Sequence, residues 1–138
     1  MNLVLDCSFI MSHILPHETN NSIEICNEIA NNTYCIYVPS IFYLECHNVL
    51  SKALYKDKKI SIDGYNAYID GLMRLDVKVD HFSSTPESMY VIKKLISEYN
   101  ISPYDASYLE LALRLEARIA TLDNKLKNTC IKAKVQMY

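Results

Sequence analysis

The stretch that decides the fold is Leu3–Ser8, with the sequence LVLDCS. Its uninterrupted run of leucine and valine is typical of a β-strand that is buried on both faces, as in a parallel sheet. Asp6 follows at the C-terminal end of this strand, the edge where open α/β sheets bind their ligands. The stretch therefore predicts a central strand that delivers a carboxylate to the ligand-binding edge of a sheet.

Length and charge limit the possible classes of protein. The chain has 138 residues, which fits a single domain spanning residues 1–138. Half of the residues are hydrophobic, an ordinary share for a globular protein. The net charge of −2 excludes a bulk attraction to nucleic acid, so any such binding must use local basic patches or cations.

The cysteine count and the N-terminal residues indicate the cellular compartment in which the protein is expected. The cysteine count of five is odd and includes no Cys-x-x-Cys pair, which argues against a disulfide framework and against a zinc ribbon. The N-terminus has no basic region and reaches Asp6 too early for a signal peptide. No apolar run approaches the roughly 18 residues of a membrane span. We therefore expect a cytoplasmic protein without a membrane segment.

Hydrophobic periodicity divides the rest of the chain into alternating helices and strands. Besides the opening strand, the pattern predicts strands at residues 34–38, 77–82 and 118–122, and a final edge strand at 134–137. The predicted helices are residues 8–15, 20–32, 41–55, 62–75, 86–99 and 103–116, with a short helical turn at 124–127. Strands that alternate with helices predict a parallel sheet with helices on both faces.

Local signals support two of these helices. Ser102 followed by Pro103 is a strong helix start, because serine is a good N-cap and proline suits the first helical position. In the helix predicted at 41–55, the buried stripe is expected to include Phe42, Leu44 and Val49.

Acidic residues from separate segments map to the C-terminal edge of this sheet. Asp6 and Asp123 end predicted strands. Asp105 lies in the first turn of a predicted helix, and Glu45 lies just over one turn into the helix that follows the second strand. In a parallel sheet, strand ends and the first turns of the following helices share one edge. We therefore expect these four carboxylates to lie close together.

Each acid also has a purely structural interpretation. Asp6 and Asp123 are suitable N-caps, and Asp105 follows Ser102 at a capping-box position. Glu45 is compatible with an ordinary solvated helix face. Taken together the acids favour a functional site, because crowded ionised carboxylates repel one another unless cations are bound. Oxygen ligands suit Mg²⁺ or Mn²⁺ better than zinc, and such an ion can activate water and neutralise phosphate charge.

The segments that carry these acids resemble the PIN-domain nucleases, and most closely the VapC-type toxins of toxin–antitoxin pairs. The resemblance covers nearly the whole chain in the right order. The matching stretches are Leu5–Ser8, Val38–Leu50, Tyr104–Ala112 and Ala120–Leu126.

The resemblance implies a fold and an activity. The implied fold is a three-layer α/β/α sandwich with a central parallel sheet of about five strands. The implied activity is that of an endoribonuclease dependent on Mg²⁺ or Mn²⁺, with RNA as the substrate. The implied catalytic and metal-binding residues are Asp6, Glu45, Asp105 and Asp123, supported by Ser8, Asn48 and Thr121. A homodimer and a VapB-type antitoxin that inserts a peptide into the acidic groove are also implied.

Other functions stay open from the sequence. A PIN-fold nuclease that processes RNA outside a toxin system, or a PIN fold that binds without cutting, carries the same residues. A receiver-type signalling module expects paired acids after the first strand, whereas Cys7 follows Asp6 here. A phosphatase of the haloacid dehalogenase type expects a second acid where Ser8 stands.

Overall fold

The centre of the molecule is a four-stranded parallel sheet in the order β3-β2-β1-β4. The computed structural model describes residues 1–14, 27–29 and 31–138. The strands are β1 (Asn2–Leu5), β2 (Cys35–Pro39), β3 (Lys78–Asp80) and β4 (Arg118–Ala120). The all-parallel sheet confirms the predicted α/β class, and the flanking helices agree with the predicted sandwich.

The predicted fifth strand is reduced to one parallel bridge between Ile119 and Met137. The amide of Ile119 donates to the carbonyl of Gln136, and the amide of Tyr138 donates to the carbonyl of Ile119, both at 3.0 Å. The C-terminal segment therefore extends the sheet beyond β4 by a single residue pair.

Six α-helices pack around this sheet in the part of the chain that the structure describes. They are α1 (Cys7–Ile14), α2 (Phe42–Ser51), α3 (Ile62–Met73), α4 (Met89–Tyr99), α5 (Pro103–Arg114) and α6 (Asn124–Lys132). A π-helical turn, Lys52–Lys56, continues α2, and two 3₁₀ turns, Phe82–Ser84 and Pro86–Ser88, precede α4.

Of the helix predicted at 20–32, residues 27–29 are helical, and most of the remainder lies outside the described residues. Within the described ranges, no helix has the length and apolar character needed to cross a membrane.

Several predicted elements have different lengths in the structure, and the fourth strand ends at Ala120 instead of residue 122. The third strand ends at Asp80, two residues early, because the Asp80 carboxylate accepts the Phe82 amide at 3.0 Å and starts a 3₁₀ turn. The predicted turn at 124–127 is instead the full helix α6. Leu126 and Cys130, four residues apart, are both buried and give this lysine-rich helix an inner face.

Burial confirms the opening strand as the core of the sheet, because Leu3, Val4 and Leu5 are fully buried. The stripe predicted for α2 is partly wrong, since Leu44 is 66% exposed while Cys46 is fully buried. Residues four apart share a helix face, so the inner face of α2 follows Phe42, Cys46 and Leu50.

Candidate active site

The register of β1 and β4 places Asp6 beside Thr121. Leu5 pairs with Ala120, and the amide of Asp6 donates to the carbonyl of Ala120 at 3.0 Å, so the pairing continues past the end of β1. The residues that follow these strands, Asp6 and Thr121, therefore leave the sheet side by side at its C-terminal edge.

Asp6 is a buried carboxylate held by hydroxyl groups. Its side chain is 7% exposed. The Thr121 hydroxyl donates to Oδ2 at 2.6 Å, and the Ser8 hydroxyl donates to the same oxygen. Burial raises the pKa of Asp6, and the hydrogen bonds from Ser8 and Thr121 partly oppose that rise. Both hydroxyls that the sequence assigns to a supporting role thus contact Asp6.

The same hydroxyls fix the turn after β4. Ser8 Oγ accepts the amide of Leu122 at 2.9 Å, and Thr121 Oγ1 accepts the amide of Asp123 at 3.0 Å. Asp123 itself is exposed and caps α6, with its Oδ1 accepting the Leu126 amide at 2.7 Å. The structural interpretation of Asp123 as an N-cap is therefore correct, and this bond holds its carboxylate at the end of the turn.

Glu45 lies in the first turn of α2 and is half-buried. The hydroxyl of Tyr108, on α5, donates to Glu45 Oε2. Burial raises the pKa of Glu45, the bond from Tyr108 opposes that rise, and the negative charges of Asp6 and Asp105 add to it. Asp6, which follows β1, and Asp105, on α5, are therefore both near enough to repel Glu45.

Asp105 lies in the first turn of α5, where its amide donates to the Ser102 hydroxyl at 3.0 Å. The negative charge of Asp105 also affects a buried thiol, that of Cys130. Burial, followed by the charges of Asp6 and Asp105, raises the pKa of the buried Cys130 thiol to about 12.

Asn48, the remaining residue assigned a supporting role, lies exposed on α2, one turn after Glu45. We call the region around Asp6, Glu45, Asp105 and Asp123 the acidic edge.

The acidic edge suits a divalent cation by its chemistry, although its side chains do not form a finished coordination shell. All the candidate ligands are carboxylate oxygens, the donors that Mg²⁺ and Mn²⁺ prefer. The repulsion that Asp6 and Asp105 exert on Glu45 is of the kind that a bound cation relieves. As they stand, no three His, Cys, Asp or Glu side chains among the described residues form a group that could hold a metal ion.

Sequence reasoning missed the contact between Tyr108 and Glu45. The two residues are 63 positions apart, so no local pattern joins them. The available signal was the position of Tyr108, three residues after Asp105 and hence on the same face of the helix. A tyrosine on the face that carries a candidate metal ligand is a candidate to bind a neighbouring acid.

A family model for the PIN domain matches residues 3–132. The chain therefore belongs to the PIN-domain family, a family of nucleases. A search of curated proteins gave no significant match. The β3-β2-β1-β4 sheet also differs from the 2-1-3-4-5 strand order of receiver-type folds, so the receiver alternative loses its support. The family match, and not the strand order, argues against the phosphatase alternative.

Solved structures similar to the chain share its fold at low sequence identity. PAE2754 from Pyrobaculum aerophilum is 18% identical with a TM-score of 0.69, and the match covers 94% of this chain and 79% of that one. VapBC2 from Rickettsia felis, bound to a promoter DNA fragment, is 16% identical with a TM-score of 0.69, covering 100% and 98%. FitAcB from Neisseria gonorrhoeae is 15% identical with a TM-score of 0.66, covering 99% and 96%.

Proposed function

We propose that the protein is an endoribonuclease dependent on Mg²⁺ or Mn²⁺, and that it acts as the toxin of a toxin–antitoxin pair. The observation that carries the proposal is the convergence of Asp6, Glu45 and Asp105 at the C-terminal edge of a PIN fold, where Asp6 and Asp105 are both near enough to repel Glu45. Neighbouring charges that raise the pKa of Glu45 are costly for folding alone, and carboxylates perturbed in this way concentrate at functional sites.

The acids would act together in cleavage of an RNA phosphodiester bond. When bound, a divalent cation supplies positive charge for the phosphate and acidity for the attacking water. Asp6 and Glu45 are presented in fixed orientations, because buried hydroxyl groups already bind one oxygen of each. Asp105 and Asp123 stand at the first turn of α5 and the N-cap of α6, where helix N-termini stabilise carboxylates.

Cleavage of a mixed RNA substrate tests this function. We expect the purified protein to cut RNA with Mg²⁺ and to stop when the cation is chelated. Asp6→Asn is expected to reduce the rate by about 100-fold or more, the scale of losing a key electrostatic group. Asp63→Asn, an equivalent change of an exposed acid in the first turn of α3, is the control and is expected to cut normally. Undiminished cleavage by Asp6→Asn would sink the proposal.

The proposed partner is a VapB-type antitoxin that inserts a peptide into the acidic edge. Support comes from the likeness to VapBC2 and FitAcB, which belong to VapBC and FitAB toxin–antitoxin complexes. Crowded carboxylates favour a peptide that carries a basic side chain. A neighbouring small gene with a DNA-binding start and a charged tail would support the toxin, and its absence would favour an RNA-processing nuclease. In either role we propose a cytoplasmic location.

We also propose that the protein is a homodimer and that an apolar groove forms the interface. The groove has a volume of about 500 Å³ and lies between the start of α2, α4 and the start of α5. Leu44, Met89 and Tyr104 line it and are each more than half exposed. Contiguous exposed apolar side chains are typical of protein interfaces. We assign a second copy as the occupant, because the resemblance to VapC-type toxins implies a homodimer and a symmetric contact would cover the same side chains on both copies.

A further inference from the structure

Tyr108 is among the largest fully buried side chains of the molecule, with 1% of its surface exposed. It lies on α5 between Ser107 and Leu109, which are also buried. Its hydroxyl group donates a hydrogen bond to Oε2 of Glu45, on α2. A buried hydroxyl needs a partner, and here the partner is a carboxylate of the acidic edge.

We propose that Tyr108 is a positioning residue whose buried hydroxyl holds the Glu45 carboxylate in place for a divalent cation. The inference rests on the proposed function, because it assigns Glu45 the role of a ligand. A glutamate side chain has several rotatable bonds, so an unrestrained Glu45 would present its oxygens in many positions. The hydrogen bond at Oε2 selects one of these positions before the cation arrives.

The location of Tyr108 supports this role over simple packing. Asp105 and Tyr108 are three residues apart on α5, so the helix that carries one candidate ligand also binds the side chain of another. The charges of Asp105 and Glu45 repel each other. The Tyr108 hydroxyl holds Glu45 near Asp105 in spite of this repulsion.

Asp6 is held in the same manner. Its Oδ2 accepts hydrogen bonds from Ser8 and from Thr121, and the Thr121 hydroxyl, at 2.6 Å, belongs to a residue with 3% of its surface exposed. In both cases a buried hydroxyl from another element binds one oxygen of a candidate ligand. Partners of this kind orient metal ligands, and their loss typically lowers metal affinity by about 10–100-fold.

The test is Mn²⁺ binding to the Tyr108→Phe variant of the 138-residue chain, measured by electron paramagnetic resonance of the free ion. The change removes one oxygen atom and keeps the ring, so we expect a folded protein with affinity reduced about 10-fold. Cleavage of RNA is expected to return to near the wild-type rate at saturating Mn²⁺, since the ligands themselves remain.

Tyr138→Phe is the matched control. The Tyr138 hydroxyl also donates to a glutamate, Glu28, which is not one of the candidate ligands. We expect this variant to bind Mn²⁺ like the wild type. A similar loss in both variants would show a general effect of removing a tyrosine–glutamate bond and would overturn the inference.

A double mutant separates positioning from packing. In the Glu45→Ala background, Tyr108→Phe is expected to change Mn²⁺ affinity by less than about 2-fold, because the hydroxyl acts through Glu45. Additive losses of affinity in the double mutant would overturn the inference. So would a Tyr108→Phe protein that binds Mn²⁺ like the wild type, or one whose circular dichroism spectrum shows it to be unfolded. If the wild type binds no Mn²⁺, the proposed function fails and this inference with it.

Discussion

Glu45 and Asp6 are residues whose positions in the fold cost stability at neutral pH. Burial raises the pKa of both carboxyl groups in the folded protein. A carboxyl whose pKa is higher when folded than when unfolded binds more protons in the folded state between those two values. The free energy of unfolding therefore falls as the pH rises through that range. At neutral pH, without cations, these two charges destabilise the fold.

The first prediction concerns Glu45→Gln. The amide oxygen of glutamine can still accept the bond from Tyr108, while the repulsion from Asp6 and Asp105 is removed. We expect the melting temperature at pH 7 without divalent cations to rise by about 2 °C or more, since 1 kcal/mol corresponds to roughly 2–4 °C in a chain of this size. The gain is expected to shrink towards pH 4, where Glu45 of the wild type takes up a proton.

Thermal unfolding at the two pH values checks this prediction. Asp63→Asn, a change in an exposed acid in the first turn of α3, is the control and is not expected to raise the melting temperature at either pH, because a helix N-terminus stabilises a carboxylate. A Glu45→Gln protein that is less stable than the wild type at pH 7 would contradict the electrostatic account.

At the scale of single elements, local signals proved the most reliable. Ser102, predicted as a cap, accepts a backbone amide at 3.0 Å. Ser61 caps α3 in the same way at 3.1 Å, and Asn100 ends α4 in a left-handed conformation with φ 52°. These features depend on a few adjacent residues, so the sequence alone specifies them. The continuous apolar run of β1 likewise predicted its complete burial.

Errors arose where the answer depends on tertiary contacts. Leu44 fitted an apolar stripe by composition, but the buried face of α2 is the one that carries Cys46, whose thiol contacts Cys7 of α1. Residues 134–137 have strand-like composition, yet only Met137 pairs with β4. The Thr121–Asp6 and Tyr108–Glu45 bonds join residues 115 and 63 positions apart, which no local pattern connects. The sequence therefore predicted the candidate acids, and the structure added how two of them are held.

The second prediction compares the caps of two helices. Ser102→Ala and Ser61→Ala each remove a hydroxyl that accepts a backbone amide, so each is expected to cost about 1 kcal/mol of unfolding free energy. The donor to Ser102 is the amide of Asp105, whereas the donor to Ser61 is the amide of Gly64. We therefore expect only Ser102→Ala to slow RNA cleavage at a temperature where both variants are folded.

Urea unfolding and single-turnover cleavage check this comparison. Equal cleavage rates in the two variants would show that Asp105 does not depend on its cap. A slower rate in Ser61→Ala would show that loss of stability alone reduces activity.

At the scale of the whole molecule, the apolar groove is the proposed interface of a homodimer. The third prediction is that the protein is a dimer by light scattering and that Leu44→Asp makes it a monomer, because a charge placed in an apolar interface is costly to bury. Tyr55→Asp is the control, since Tyr55 is 72% exposed and lies outside the groove. A monomeric wild type, or a dimer that survives Leu44→Asp, would contradict the assigned interface.

The central claim is that carboxylates from four separate segments form one cation site. Mn²⁺ titration of the wild type and of the amide variants tests this claim without requiring the correct RNA target. The variants are Asp6→Asn, Glu45→Gln, Asp105→Asn and Asp123→Asn, with Asp63→Asn as the control. We predict that each of the four binds Mn²⁺ about 10-fold or more weakly than the wild type, and that the control binds normally. An Asp6→Asn protein that binds Mn²⁺ as tightly as the wild type would contradict the claim.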